Sequence, residues 1–157
     1  MKTILFQPQI PQNTGNIART CAVTGTDLVL VRPLGFSTAS RHLKRAGLDY
    51  WNDISVEVID DLMSYLEQSA SPFFFFSSKA TTLYTEINYP HDALLIFGSE
   101  TSGLDEAFWQ RWPDKFYRIP MRKESRCINL SCTVAIVIYE ALRQQKWLNH
   151  EKSATIY

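Results

Sequence analysis

RIPMRKESRCINLSCTVAIVIYEALRQQK, residues 118–146, is the stretch that decides the fold of this 157-residue chain. It begins as a short apolar segment closed by Ile119 and Pro120, passes through a charged loop at residues 122–126, and ends in a long apolar run. Asn129 is a good N-cap, because its side-chain carbonyl can accept a backbone N–H that the helix itself leaves unpaired, so a helix is expected from there to about Lys146. The β-branched residues of the run would also suit a strand. Its length, with Glu140, Arg143, Gln144 and Gln145 at the end, favours helix. From Leu130 to Leu142 that helix has almost no polar stripe, which predicts burial on most sides, within its own domain and with room for a second subunit.

Upstream, the same strand, polar loop and helix recur. Residues 3–6 read as a buried strand and residues 7–12, with Pro8 and Pro11, as the loop leaving it. Asn13 is expected to open a helix in which Ile17, Ala18, Cys21 and Ala22 share a face and Gly25 is the stop; residues 27–31 are the next strand. Residues 56–59 form another strand, and Asp60 or Asp61 can cap a helix carrying Leu62, Met63, Tyr65 and Leu66. The run Phe73, Phe74, Phe75, Phe76 suits a central strand, with Ser77, Ser78 and Lys79 at its carboxyl end. Residues 93–97 are a strand, residues 105–112 a short helix with Trp109 and Trp112 packed inward, and residues 116–119 the strand that feeds the opening stretch. The expected fold class is α/β, a mostly parallel sheet flanked by helices in one domain spanning residues 1–157, with residues 149–157 a frayed tail.

Three polar loops stand out: residues 13–19, 98–104 and 122–129. Each follows a strand and opens toward a helix. In an open parallel sheet such loops gather at the carboxyl edge, so one composite site is expected there. Gly98 and Gly103 have P-loop spacing, but Leu104 and Asp105 stand where its Lys and Ser/Thr would be, so phosphate grip and magnesium ligand are both missing. The loop is then either a plain structural turn or a glycine-hinged ligand loop that presents Glu100. Residues 37–50 hold the densest basic cluster, Arg41, His42, Lys44 and Arg45. It is either a solvated helix face or, beside Tyr50 and Trp51, a patch for an RNA backbone with unstacked bases.

Composition narrows the classes. Sixteen basic and sixteen acidic residues cancel, so any nucleic-acid surface must be local. Cys21, Cys127 and Cys132 are an odd number without CxxC spacing or a His cluster, which argues against a metal site and against a disulfide scaffold. No signal-peptide pattern opens the chain, and the longest charge-free apolar stretch is too short to span a bilayer, so no membrane association is expected and the cytoplasm is the expected location. The glycosylation-type triplet at Asn129 is read as coincidence in that setting.

The three loops, in this order and spacing, resemble the three motifs of the SPOUT class of RNA methyltransferases. Residues 13–19 (NTGNIAR) look like the first motif, residues 97–104 (FGSETSGL) like the second, and Ile119, Pro120, Met121 through Asn129, Leu130, Ser131 to Glu140, Ala141 like the third. With residues 45–50 (RAGLDY) and the compact length, the likeness is to the TrmL (YibK-like) subfamily, over residues 2–147. The resemblance implies a C-terminal trefoil knot, S-adenosyl-L-methionine as cofactor, a homodimer, and tRNA as substrate. The implied reaction is 2′-O-methylation of the wobble ribose, position 34, cytidine or modified uridine, in the anticodon stem-loop of leucine tRNA. Carried over by motif, Arg19 is the catalytic arginine, supported by Asn13, Glu100 and Asn129. Phe76, Gly98, Ile119 and Cys127 would contact the cofactor, and Arg41, Lys44, Arg45, Arg122 and Arg126 the RNA.

The family role of Arg19 is to take the hydroxyl proton. A guanidinium, with a pKa of about 12.5 to 13.8, is ordinarily only a donor, so a second role stands beside it: a cation that clamps the adjacent phosphate and stabilises developing alkoxide. Two positions depart from the pattern. Cys127 stands where serine is usual, and a thiol is the weaker donor; a nucleophilic Cys127 is the lesser alternative, since transfer to a ribose oxygen needs no covalent intermediate. Ser99 and Ser102 replace a proline and an arginine common in the subfamily, removing one cation near the site. A non-catalytic RNA-binding dimer, and a 2′-O-methyltransferase for another tRNA or rRNA position, are the alternatives.

Overall fold

The computed structural model describes residues 1–37, 54–122, 124–125 and 127–147. Their elements are β1 (Lys2–Phe6), α1 (Pro11–Thr24), β2 (Asp27–Val31), β3 (Val56–Ile59), α2 (Leu62–Gln68), β4 (Phe73–Phe76), β5 (Thr82–Leu83), β6 (Leu94–Phe97), α3 (Glu106–Arg111), β7 (Phe116–Arg118) and α4 (Leu130–Gln144). The strands form one sheet of seven in the order β3-β2-β1-β6-β4-β7-β5. Every pairing between them is parallel.

Alternation along the strands builds two cores. Leu5, Leu28, Leu30, Phe74, Phe76, Leu95 and Phe97 face the layer made by α1 and α4, where Ile17, Ala18, Cys21, Val134, Val137, Ile138 and Ala141 meet them. Their strand neighbours Ile4, Phe6, Val29, Val31, Phe75, Leu94 and Ile96 face the other layer, with Leu62, Leu66 and Phe108. A sheet covered on both faces needs apolar residues at successive positions, which is why these strands read as continuous apolar runs. Aromatic rings thicken the second core: Phe75 stacks on Phe116 at 4.7 Å and Trp109 on the same ring at 3.5 Å.

Three local expectations are revised. α1 starts at Pro11, two residues before Asn13, because a proline at the first helical position lacks only an N–H that would have no intrahelical partner. The N-cap is Ile10, which has no side-chain acceptor, and Asn13 lies buried in the first turn instead. α4 is covered on one side only, with Ile136 36% and Tyr139 47% exposed. β5 was not expected, since two residues carry no detectable period.

The expected caps hold elsewhere. Asp61 Oδ1 accepts Ser64 N at 3.2 Å and starts α2. Gly25 ends α1 in the left-handed region, at φ 64°. The order of the strands is what places the site. β1, β6, β4 and β7 are successive neighbours, so the loops leaving their carboxyl ends share one edge.

Candidate functional site

The loop after β6 closes on itself. Ser99 N donates to Gly103 O at 3.0 Å and Gly103 N to Ser99 O at 2.9 Å. Gly103 has φ 73°, which favours glycine by conformation. Gly98 is required by space, since a Cβ there would stand 2.4 Å from Gly103 C and 2.7 Å from Leu104 N. The P-loop-like spacing is therefore a tight turn that projects Glu100 sideways.

Glu100 reaches the loop after β1. Its Oε2 accepts Gln9 N at 2.8 Å, and its Oε1 accepts Ile10 N at 3.2 Å and Asn13 Nδ2 at 3.0 Å. Ile10 brings no side-chain cap, and the carboxylate instead holds the backbone N–H groups of Gln9 and Ile10 just ahead of α1, where a negative charge also suits the helix dipole. Asn13 passes the network on. Asn129 Nδ2 donates to Asn13 Oδ1 at 3.0 Å, and Asn129 Oδ1 caps α4 by accepting Ser131 N at 2.9 Å and Ser131 Oγ at 2.7 Å. One hydrogen-bonded chain thus joins all three polar loops, as expected of a composite site.

A cavity of about 530 Å³ lies against this network. Phe76, Gly98, Ile119 and Cys127 all stand in its wall, with Asn13, Glu100 and Asn129. Phe76 and Phe97 stack at 4.9 Å at the ends of adjacent strands β4 and β6. Apolar Leu104, Trp109 and Leu130 share the lining with Ser77, Thr101 and Thr133. Lys79 is a cationic member of that wall.

The remaining expected residues are placed differently. Arg19 is on the exposed face of α1 and is not part of the cavity wall. Arg122 is exposed in the loop after β7. Arg41, Lys44, Arg45 and Arg126 lie outside the described residues. Sequence reasoning did not single out Gln9 and Ile10, which act through backbone N–H groups and leave no side-chain signature. Ser131, two residues past an N-cap Asn, carried the signal of a local side-chain turn and could have been found.

The titratable groups separate site from scaffold. Burial pushes the Cys21 thiol up to about 12, so it belongs to the core rather than to any chemistry. Burial likewise raises the Tyr89 phenol, whose hydroxyl donates to Tyr84 O at 2.9 Å. Cys127 and Cys132 are exposed. Among the described residues no group of three or more His, Cys, Asp or Glu could hold a metal ion, and no helix is long and apolar enough to cross a membrane.

A parallel sheet whose carboxyl-edge loops enclose a cavity in this way defines a class, and the chain belongs to the SpoU rRNA methylase family, whose profile matches residues 1–139. Individual relatives are more specific. A Bacillus subtilis protein, provisionally named a tRNA (cytidine(34)-2′-O)-methyltransferase, is 48% identical over 151 residues, covering 94% of each chain. A Photorhabdus asymbiotica protein with that name and no qualifier is 40% identical over 151 residues, covering 92% of this chain and 93% of its own. A solved structure concerned with 2-OH methylation of C/U34 on tRNA superposes with TM-score 0.87 at 39% identity, covering 93% of this chain and 96% of the other.

Proposed function

We propose that this protein methylates the ribose 2′-oxygen of nucleotide 34 in tRNA, with S-adenosyl-L-methionine as donor and a leucine tRNA anticodon stem-loop as substrate. The observation that carries this is the hydrogen-bonded chain Glu100–Asn13–Asn129 at the wall of the cavity, formed from the motifs that resemble the methyltransferase class. The naming of the relatives for cytidine 34 supports the same nucleotide.

The residues present fit the donor. About 530 Å³ is within the ordinary range for small-molecule sites, of roughly 300–1,000 Å³. Leu104, Trp109, Ile119 and Leu130 suit a flat aromatic base, and Ser77, Thr101 and Thr133 suit a ribose and an amino-acid end. Phe76, Gly98, Ile119 and Cys127 would hold it largely through main-chain groups, which makes the weak thiol donor at Cys127 tolerable. When bound, this cofactor supplies an electrophilic methyl on a positively charged sulfur.

The work of the chain is then alignment. The 2′-hydroxyl must lie in line with the methyl and release its proton as its oxygen is alkylated, so orientation contributes much of the rate. Asn13, Glu100 and Asn129 fix the three loops against one another. Arg19, exposed on α1, serves the RNA side: it clamps the phosphate next to the reacting ribose and stabilises charge developing on its oxygen. Its other role, acceptor of the proton, is the second reading that the family resemblance supplies. Arg122 with Arg41, Lys44, Arg45 and Arg126 completes the RNA contacts.

Assembly and topology follow the same reading. Val23 on α1 and Ile136 and Tyr139 on α4 are large apolar groups left exposed, which supports a homodimer formed through these two helices. β7 lies between β4 and β5, which are consecutive in the chain, so their connection must pass the end of β7; that crossing supports a trefoil knot around residues 77–129. One domain and a cytoplasmic location complete the proposal.

Transfer of labelled methyl from S-adenosylmethionine to bulk tRNA, followed by mapping of the modified nucleotide, tests it. A ribose methyl at position 34 is expected. Cofactor binding without transfer to any tRNA would instead favour a non-catalytic RNA-binding dimer.

A further inference from the structure

The loop after β2 makes a contact that the motifs do not account for. Gly35 N donates to Pro8 O at 2.9 Å, bringing that loop against the one that Glu100 holds. At Gly35 a Cβ would stand 2.6 Å from Gln9 Oε1, 2.7 Å from Gln9 Cα and 2.9 Å from Gln9 O. Gly35 is not among the residues with positive φ, so space, not backbone conformation, is what calls for glycine here.

Gln9 is therefore held by both loops. Its N–H donates to Glu100 at 2.8 Å, and its Cα and carbonyl come so close to Gly35 that no Cβ fits there. Its side chain braces the same turn, Nε2 donating to Gln7 O at 2.8 Å, where Gln7 itself has φ 48°. The Gly35 loop is itself anchored. Arg32 N donates to Ile59 O at 2.9 Å, and Arg32 Nη1 meets Asp60 Oδ1 at 2.9 Å, tying the start of the loop to the end of β3.

We infer that Gly35 is a positioning residue for methyl transfer, acting through Gln9 on the Glu100–Asn13–Asn129 chain. This rests on the proposed function. Adding a methyl at Gly35 would displace the Gln9 backbone by about 0.7 Å, the gap between the 2.7 Å found to its Cα and the roughly 3.4 Å at which ordinary contact begins. A shift of that size would compress or misalign the Gln9–Glu100 bond, now 2.8 Å, and displacements near 1 Å at an aligned site cost on the order of 10²-fold in rate.

The test is steady-state methyl transfer to tRNA by the full chain, comparing wild type, Gly35→Ala and Gly25→Ala. Gly25 is the control for lost stability: it has φ 64°, so alanine there is strained, yet nothing lies within 4 Å of its Cβ position. Expected for Gly35→Ala is a fall in kcat of at least tenfold with KM for S-adenosylmethionine within threefold. Gly25→Ala should lower the unfolding midpoint and leave kcat within twofold. A Gly35→Ala kcat within twofold of wild type overturns the inference, as does an equal loss in Gly25→Ala. If Gly35→Ala does not fold, Gln9→Gly decides, because it removes the brace and adds no atom: at least a threefold loss of kcat supports the inference, and a wild-type kcat overturns it. A wild-type chain that methylates no tRNA defeats the proposed function and this inference with it, whereas an active wild type beside a fully active Gly35→Ala defeats this inference alone.

Discussion

Asn129 donates through Nδ2 to Oδ1 of Asn13 at 3.0 Å, across 116 positions of sequence. The direction of that bond is dictated by the neighbours. Asn129 Oδ1 already accepts from Ser131 N and Oγ, so its amide can only donate to Asn13, and Asn13 can then only donate to Glu100. The N-cap of α4 therefore orients a side chain in α1, and through it the carboxylate of the glycine loop.

Replacing Asn129 separates its two duties. Asn129→Ala loses both cap and donor and should cost about 2–3 kcal/mol, of which about 1 is the cap and the rest the unpaired, buried Asn13 acceptor. Asn129→Asp keeps the cap but sets a carboxylate oxygen against Asn13 Oδ1, so the expected cost is at least about 1–2 kcal/mol, with methyl transfer down at least tenfold in both. Denaturant unfolding and turnover measured on the same preparations check this; full activity in Asn129→Asp would show that the bond to Asn13 does not serve the reaction.

Gly98→Ala should open the glycine turn, because the added carbon would meet Gly103 C at 2.4 Å. Backbone cannot yield as a side chain does. Calorimetric titration should find S-adenosylmethionine bound at least tenfold more weakly, and stability lower by about 1–3 kcal/mol.

Arg19→Ala should abolish methylation while leaving cofactor affinity unchanged, since Arg19 is outside the cavity wall. Titration with S-adenosylmethionine and transfer to tRNA are the two measurements. Retained turnover would remove Arg19 from the mechanism, and Arg19→Lys, which keeps charge but loses the planar fork, is expected to remain largely inactive.

The three thiols should react in order of exposure. At pH 8 iodoacetamide should modify Cys127 in the native chain and spare Cys21, whose thiol burial pushes up to about 12, while Cys132, on the Ile136 and Tyr139 face of α4, should be slowed by the proposed dimer. Peptide mass mapping should then show S-adenosylmethionine slowing modification of Cys127, which lines the cavity, and not of Cys132. Equal rates at Cys127 with and without cofactor would move the cofactor elsewhere.

Acid stability gives a test on α4. Hydrogen bonds from Arg143, and then from Gln144, hold the Glu140 carboxyl below its ordinary value. A depressed folded-state value stabilises the chain above the unfolded carboxylate range, about pH 4.3, and that contribution is lost as pH falls through the lower folded value. Arg143 is 65% exposed, so solvent screening keeps the effect near 0.5–1 kcal/mol. Glu140→Gln should be less stable by that amount at pH 7 and show a correspondingly shallower decline toward pH 3 in thermal unfolding.

Much of the fold was open to inference because it depends on local periodicity. The runs at residues 27–31, 56–59 and 73–76 were placed at their observed bounds, and Asn129 and Gly25 were recognised as helix ends, because apolar alternation and capping are properties of a few adjacent residues. The start of α1 differs: Asn13 is the better cap by residue type, but Pro11 suits the first helical position and the helix begins there, with Glu100, some ninety residues away, holding the N–H groups of Gln9 and Ile10 just ahead of it. The cavity residues Phe76, Gly98, Ile119 and Cys127 came from motif resemblance, and their shared wall came from strand order.

The sequence by itself determined the class: a mostly parallel α/β chain with three polar loops and the motifs of an RNA methyltransferase family. Only the tertiary structure decided that those loops are joined as one network, that the network runs in one direction from Ser131 to Glu100, and that Gly35 bears on it through Gln9. The physical reason is range. Helix and strand preferences are written within one or two turns of chain, whereas hydrogen bonds between Asn13, Glu100 and Asn129, and a glycine that leaves room for a distant backbone, exist only after the sheet has brought those segments within a few ångströms.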